Sequence, residues 1–266
     1  MLRTLGRYLR LYFLIESQYI KARMQYRADF VISSVGMVFT GLVTVLVFRV
    51  LFATIPNLAG WTFNEILFIY GFFALAVAPL QIFFDNIWFL RYKVQDGSFI
   101  KYYFRPLNMM FYFMSETIDL KGFTQLAIGI ATLTYASVQL GLHWTPLRLL
   151  LLLAMLLSAA LVAISFLTIA ACSTFWIVNS YPVMALAHKI RDFAQYPMTV
   201  FDGFARFLFT YLVPIGFIAF YPAQLFLRPE EVSLLVYLSP LVGVAFFALA
   251  YLVWHKGVNS YSGTGS

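Results

Sequence analysis

The chain has 266 residues, of which 62% are hydrophobic and 11% are charged, with a net charge of +7. Soluble domains carry about 25% charged residues, so the composition excludes an ordinary soluble protein. Apolar stretches of about 20 residues predict an all-α integral membrane protein, because a helix satisfies its own backbone hydrogen bonds in lipid. In such a protein the positive charge indicates cytoplasmic loops and anionic lipid, not nucleic acid.

The N-terminal segment, residues 1–28, predicts an amphipathic helix that lies in the membrane interface. Apolar and basic side chains form two separate stripes at helical spacing: Leu2, Leu5 and Leu9 against Arg3, Arg7 and Arg10. A helix with two such faces lies along the bilayer rather than across it. Two roles stay open for it, a membrane-surface anchor and a contact with a partner.

The rest of the chain, residues 29–266, predicts six membrane-spanning helices with both termini in the cytoplasm. Five apolar runs are clear: 30–55, 63–90, 122–142, 147–172 and 234–254. Basic residues crowd the N-terminal segment and the loop after the second run, which places both in the cytoplasm.

The remaining span is ambiguous. Residues 174–196 can cross the membrane, followed by a re-entrant helical pair at 199–228 that is broken at Pro214. His188 and its charged neighbours then lie toward the outer end of the fifth span. Alternatively, residues 198–225 form the fifth span, and His188 lies in a cytoplasmic loop.

The longest polar interruption, residues 91–106, predicts a cytoplasmic docking element. Asp96-Gly97 is typical of a tight turn, and Phe99, Tyr103 and Phe104 then predict an aromatic surface beside basic residues. A short amphipathic helix here suits a partner's groove, whereas an ordinary basic loop near anionic lipid is the alternative. The candidate contact residues are Arg91, Lys93, Asp96, Gly97, Phe99, Lys101, Arg105 and Pro106.

Sequence motifs for chemistry are missing. The chain has no Gly-rich phosphate-binding loop and no His-Glu-x-x-His motif, and its three histidines are scattered. With one cysteine, Cys172, it predicts no Cys-rich metal site. We therefore expect no catalytic residues, no metal and no cofactor in this chain. The acidic residues lie near the ends of apolar runs, so a proton relay is not apparent.

Several short motifs, taken in order, resemble the permease subunits of bacterial type-2 ATP-binding-cassette exporters, in a poorly characterised branch. The motifs are Asp96-Gly97-x-Phe99, Arg105-Pro106, Phe175-Trp176, Tyr196-Pro197, Pro214, Pro222 and Tyr261-x-Gly263-x-Gly265-Ser266. The resemblance covers essentially the whole chain.

The resemblance implies that residues 91–106 are a coupling helix between spans two and three, seated in a cleft of a cytoplasmic ATPase subunit that binds ATP and Mg. It also implies a second permease subunit, identical or related, a bacterial inner-membrane location, and the re-entrant pair at 199–228. We expect export of a lipophilic or amphipathic substrate. The rival hypotheses are an ion channel or ion-coupled secondary transporter, and a membrane-embedded enzyme, for which no site is found.

Overall fold

The structure, a computed structural model, describes residues 11, 12, 14, 17 and 27–262, and in these ranges the regular structure is helical. Most of the predicted interfacial helix at 1–28 therefore lies outside the described residues, as does the tail at 263–266. The helices of 27–262 are α1 (Arg27–Thr54), α2 (Phe63–Phe83), α3 (Leu90–Gln95), α4 (Met109–Met114), α5 (Lys121–Gln139), α6 (Pro146–Cys172), α7 (Tyr181–Asp192), α8 (Gly203–Phe207), α9 (Phe220–Leu227) and α10 (Leu234–Ser260).

Four of the described helices are long and apolar enough to cross a membrane: α1, α2, α6 and α10. They match four of the predicted runs, which confirms the all-α class. Two of their ends differ from prediction. Helix α2 stops at Phe83 instead of residue 90, and a 3-10 turn follows at Asp85–Phe89. Helix α10 continues past residue 254 to Ser260.

Helix α5 is shorter and less apolar than these four, and it packs antiparallel along α2. Glycines allow the close approach. A Cβ atom added at Gly122 would lie 2.4 Å from Cγ1 of Ile82, and one added at Gly129 would lie 2.8 Å from Cγ of Leu75. Backbones that meet over small residues in this way gain van der Waals contact, which holds helices together in lipid.

The helices place the connecting segments at two ends of the molecule. What we call the loop end carries residues 84–120, 173–180 and 255–262, and what we call the turn end carries residues 55–62, 140–145 and 228–233. Helix α6 packs parallel to α10, where Oγ of Ser158 donates a hydrogen bond to the carbonyl of Ser239 (2.6 Å).

The segment after α6 passes from the loop end to the turn end without one long helix. At the loop end, Gln95 Nε2 donates to the carbonyl of Val178 (2.5 Å). At the turn end, Trp61 Nε1 donates to Oγ1 of Thr199 (2.8 Å). Helix α7 and the 3-10 turns at Phe193–Gln195 and Met198–Val200 cover the distance between them.

The segment 199–228 begins and ends at the turn end. Its first residue contacts Trp61, and its last, Arg228, donates from Nη2 to the carbonyl of Gly60 (2.6 Å). Between them lie α8, a π-helical turn (Leu208–Leu212), a 3-10 turn (Ile215–Ile218) and α9. The hydroxyls of Thr210 and Tyr221 lie 2.7 Å apart and link the two limbs.

Arg228 fixes the C-terminal end of segment 199–228 at the turn end. Its Nε donates to Glu65 Oε1 (2.9 Å), and its guanidinium carbon lies 3.8 Å from the ring centroid of Trp61. Glu65 also accepts from the backbone N–H of Thr62 (2.8 Å), while the Thr62 side chain accepts from Glu65, which forms a capping box at the start of α2.

His188 lies closer to the loop end than expected from the first topology. Its ring stacks on Trp88, with centroids 4.0 Å apart, and Trp88 belongs to the 3-10 turn that follows α2. The placement at the outer end of a fifth span followed from the re-entrant pair that the family resemblance implies. The structure differs because α7 starts at Tyr181, so His188 is only two turns into the helix.

Candidate docking loop and its anchors

The loop 91–106 turns sharply at its centre. Helix α3 ends at Gln95, Asp96 Oδ1 accepts a hydrogen bond from the N–H of Ser98 (2.9 Å), and Gly97 has a φ of +76°, which favours glycine. A 3-10 turn, Ser98–Tyr102, follows. The predicted Asp-Gly turn is therefore present. The predicted single amphipathic helix is instead two short helical pieces joined at this bend.

Asp96 stabilises the bend as an anion. Hydrogen bonds from the side chain of Ser98, and then from its backbone N–H, lower the pKa of the Asp96 carboxyl from its ordinary value of 3.8. The side chain is exposed, so water solvates the charge as well. The carboxylate is thus ionised at neutral pH and accepts these bonds in its charged form.

Phe99 is the buried anchor of the loop, not part of an aromatic surface. It is 0% exposed, which corrects its prediction as a partner contact. Other aromatic rings surround it with centroids 5.1–6.2 Å away: Tyr102, Tyr103, Phe113, Phe175, Trp254 and Tyr261. Three of these rings come from the ends of α6 and α10, so the loop is fastened to two long helices.

Two further hydrogen bonds tie the loop to the helices through backbone carbonyls. The hydroxyl of Tyr103 donates to the carbonyl of Val258, near the end of α10 (2.5 Å). Gln95 donates to the carbonyl of Val178, which precedes α7. A displacement of the loop must therefore move α7 and α10, or break these bonds.

Glu116 forms ion pairs with two of the basic residues that were predicted to contact a partner. Its carboxylate lies 2.7 Å from Lys101 Nζ and 3.6 Å from Lys93 Nζ, and the hydroxyl of Tyr102 donates to it (2.5 Å). Burial, and then the hydrogen bond with Glu116, raises the pKa of Tyr102, so its hydroxyl remains a donor. Lys93 and Lys101 thus serve the loop's own fold.

The arginines lie against aromatic rings. Arg91 donates from Nη2 to the hydroxyl of Tyr92, and its guanidinium carbon lies 4.8 Å from the ring centroid of Tyr181. The guanidinium carbon of Arg105 lies 6.0 Å from the ring centroid of Tyr112, with Arg105 itself exposed. Arg105 is therefore better placed than Lys93 for a contact outside the chain.

An exposed surface remains on the loop, in contrast to the buried Phe99. We call it the docking face, and it consists of Tyr92, Ile100, Phe104, Arg105 and Pro106. Phe104 is 78% exposed, although the aqueous end of a membrane protein normally buries such a ring. An apolar centre beside a positive charge is the composition of a protein contact surface.

Sequence reasoning identified the loop but missed its supports. Glu116 and Trp254 lie outside residues 91–106 in the sequence, and Tyr102 lies within the loop but was not singled out among its aromatic residues. Glu116 was one of several acids at the ends of apolar runs, and its sequence context did not distinguish it. Among the described residues, no group of three or more His, Cys, Asp or Glu side chains could hold a metal ion.

Comparison with known proteins gives one match. The family model described as ABC-2 family transporter protein matches residues 38–265. Searches of the curated proteins and of the solved structures found no match to the chain. The matched range includes the docking loop, its aromatic anchors and the segment 199–228.

Proposed function

The chain belongs to the ABC-2 family of transporter proteins, and from this premise we propose that it exports an amphipathic substrate, driven by ATPase subunits that dock on residues 91–106. Family membership confirms the predicted permease subunit of a type-2 ATP-binding-cassette transporter, a multi-pass membrane protein. It also implies association with ATP-binding-cassette subunits, in which the ATPase activity lies.

One observation carries the coupling proposal: the loop is anchored on one side and exposed on the other. Phe99 fixes it to the ends of α6 and α10, while Phe104 and Arg105 face outward. Closure of ATPase subunits against the docking face would push a rigid connection rather than a flexible loop. Movement of packed helices as rigid bodies then opens and closes a path.

We propose six crossings. Residues 174–196 form the fifth crossing and 199–228 the re-entrant pair, with the loop end in the cytoplasm of a bacterial cell and both termini there. The contacts of Thr199 and Arg228 with the Trp61 loop support this topology. Labelling from outside the cell tests it: Phe204→Cys should react and Val178→Cys should not. The reverse pattern would reject the topology.

The substrate path is expected to form against a second permease subunit, identical or related. Helix α1 supports a path between subunits, because large apolar side chains such as Ile32 (71%), Phe39 (67%) and Val50 (68%) are exposed along it. Apolar and aromatic walls suit a lipophilic or amphipathic substrate. ATP and Mg are expected to bind only in the partner subunits.

The docking face can be tested without disturbing the loop's own fold. Charge reversal at Lys101 would break its ion pair with Glu116, so Arg105→Glu and Phe104→Ala are the cleaner variants. We expect each to lower co-purification of the ATPase subunit encoded beside this chain by about tenfold or more, the size typical of a central contact residue. ATP-driven export should fall with it.

Lys256→Glu is the matched control, since Lys256 is an exposed cation at the same end of the molecule but outside the docking face. It should leave ATPase recruitment unchanged. If Arg105→Glu and Phe104→Ala recruit the ATPase normally, the docking face is elsewhere. If the wild-type chain moves its substrate in the absence of any ATPase, the secondary-transporter hypothesis is correct instead.

A further inference from the structure

A cavity lies within the helix bundle at the loop end, apart from the docking face. It has a volume of about 260 Å³ and is enclosed by α1, α2, α5, α6, α7 and the 3-10 turn after α2. Apolar and aromatic side chains form much of its wall, and polar or charged side chains, among them Gln81, Lys121 and Arg191, form the rest. Ligand pockets for whole small molecules begin at about 300 Å³, so this cavity suits a polar group rather than a large molecule.

Two buried polar atoms in the cavity wall lack partners within the described part of the chain. They are Oε1 of Gln81 and Nε2 of His188. Buried polar atoms in proteins are almost always hydrogen-bonded, and leaving one unpaired is costly. Since both atoms line the same cavity, the missing partners are expected to be supplied by what occupies it.

The charges around the cavity are mixed. Asp119 and Lys121 line it as an ion pair (3.3 Å), Asp85 adds a carboxylate, and Arg191 adds a guanidinium that also bonds Asp192. A purely anionic or purely cationic ligand can pair with only one of these two sets of charges. A zwitterion with both charges close together satisfies both sets.

The unpaired amide oxygen narrows the ligand further. Oε1 of Gln81 can only accept a hydrogen bond, so the ligand must carry an N–H or O–H donor. A primary ammonium has such donors, whereas a trimethylammonium has none. A phosphate joined to a primary ammonium therefore fits, with the phosphate toward Lys121 and Arg191 and the ammonium toward Gln81.

The position of the cavity identifies where such a zwitterion comes from. The cavity lies where α2 ends and α5 begins, next to the segments that leave the apolar layer. In the topology proposed above, the ends of α2 and α5 lie at the membrane surface, where lipid head groups are found. We propose that this cavity binds the head group of a zwitterionic phospholipid with a primary ammonium, a phosphatidylethanolamine.

The test compares two zwitterionic head groups that differ in donor capacity and in the size of the ammonium group, and the Gln81 variant below separates these two effects. The full chain in a neutral detergent is titrated with dihexanoyl-phosphatidylethanolamine or dihexanoyl-phosphatidylcholine, and bound lipid is measured by native mass spectrometry. We expect the ethanolamine lipid to bind about tenfold tighter, the effect of one hydrogen bond to a charged group. Equal affinity for the two lipids would overturn the proposal.

Single substitutions test which residue binds the ammonium and which binds the phosphate. Gln81→Leu should remove the preference for ethanolamine, whereas Gln139→Leu, at an exposed position at the end of α5, should retain it. Lys121→Gln should weaken both lipids by a similar factor, whereas the exposed Lys256→Gln should weaken neither. A preference that persists in Gln81→Leu would contradict the assignment.

Two further outcomes bear on the proposed lipid site. If Gln81→Leu does not fold, the ratio of wild-type affinities and the Lys121→Gln titration still carry the test. If free O-phosphoethanolamine binds as tightly as the lipid, the site is for a soluble ligand and the lipid assignment is wrong. ATPase recruitment is a separate measurement, so failure here does not affect the proposed function.

Discussion

The two ends of the molecule each fasten an irregular segment to the long helices, but by different means. At the loop end, residues 91–106 are held by a cluster of aromatic rings around Phe99 and by a half-buried glutamate, Glu116. At the turn end, the return of segment 199–228 depends on Arg228, which joins Glu65, Gly60 and Trp61.

The difference suits different mechanical roles. Ring packing at the loop end is spread over many contacts and over two helices, so a force on the loop is passed on to both. The attachment at the turn end depends on fewer polar contacts, chiefly those of the partly exposed Arg228 guanidinium and the hydrogen bond from Trp61 to Thr199. We infer that the loop end is the stiffer of the two.

The largest effect is expected from Phe99→Ala. Removal of a fully buried aromatic ring costs about 3–5 kcal/mol of stability, because it leaves a cavity that neighbours fill only in part. The free energy of unfolding in mixed detergent micelles measures this loss. We also expect ATP-driven export to fall further than ATPase binding, since the docking face remains while its anchor is lost.

Phe104→Ala provides the contrast within the same loop. Phe104 is 78% exposed, so its removal should change stability by less than about 0.5 kcal/mol while it weakens ATPase recruitment. Similar stability losses in the two variants would show that the aromatic cluster is not the anchor.

A smaller effect is expected from Arg228→Leu at the turn end. It removes charge-assisted hydrogen bonds to Glu65, but Arg228 is partly exposed, so the cost is about 1–2 kcal/mol after solvent screening. Glu65→Gln in the Arg228→Leu background should add little, because the two side chains act together.

Arg148→Leu is the control at the same end. Arg148 is exposed and donates only to the carbonyl of His143 (3.0 Å), so its loss should cost less than about 0.5 kcal/mol. If Arg148→Leu and Arg228→Leu lose the same amount of stability, Arg228 does not hold the re-entrant segment in place.

The smallest effect concerns pH at the bend of the docking loop. The folded-state pKa of Asp96 is lowered from 3.8, so its contribution is present above that value and is lost as pH falls through the folded-state pKa. The stability difference between wild type and Asp96→Asn should therefore be constant from pH 8 to pH 5. A difference that changes across this window would mean that another group controls the bend.

Prediction from sequence worked where the signal is local. Four predicted apolar runs correspond to helices α1, α2, α6 and α10, and the predicted Asp96-Gly97 turn is the bend of the loop. The third predicted run corresponds to helix α5, whose glycines pack on α2, but α5 is not among the four helices that are apolar enough to cross a membrane. The fifth crossing was left between two alternatives, because Pro182, Pro197 and the charges near His188 break its apolar pattern.

The transfer of apolar side chains into lipid depends mainly on the side chains themselves, so the sequence alone determined the membrane class and most helix positions. Which rings of the docking loop are buried depends on residues far away in the chain. Phe99 is enclosed by Trp254 and Tyr261, more than 150 positions later, while Phe104 is not. Both are phenylalanines in one aromatic run, and only the tertiary structure decided which one is buried as the anchor of the loop and which one stays exposed.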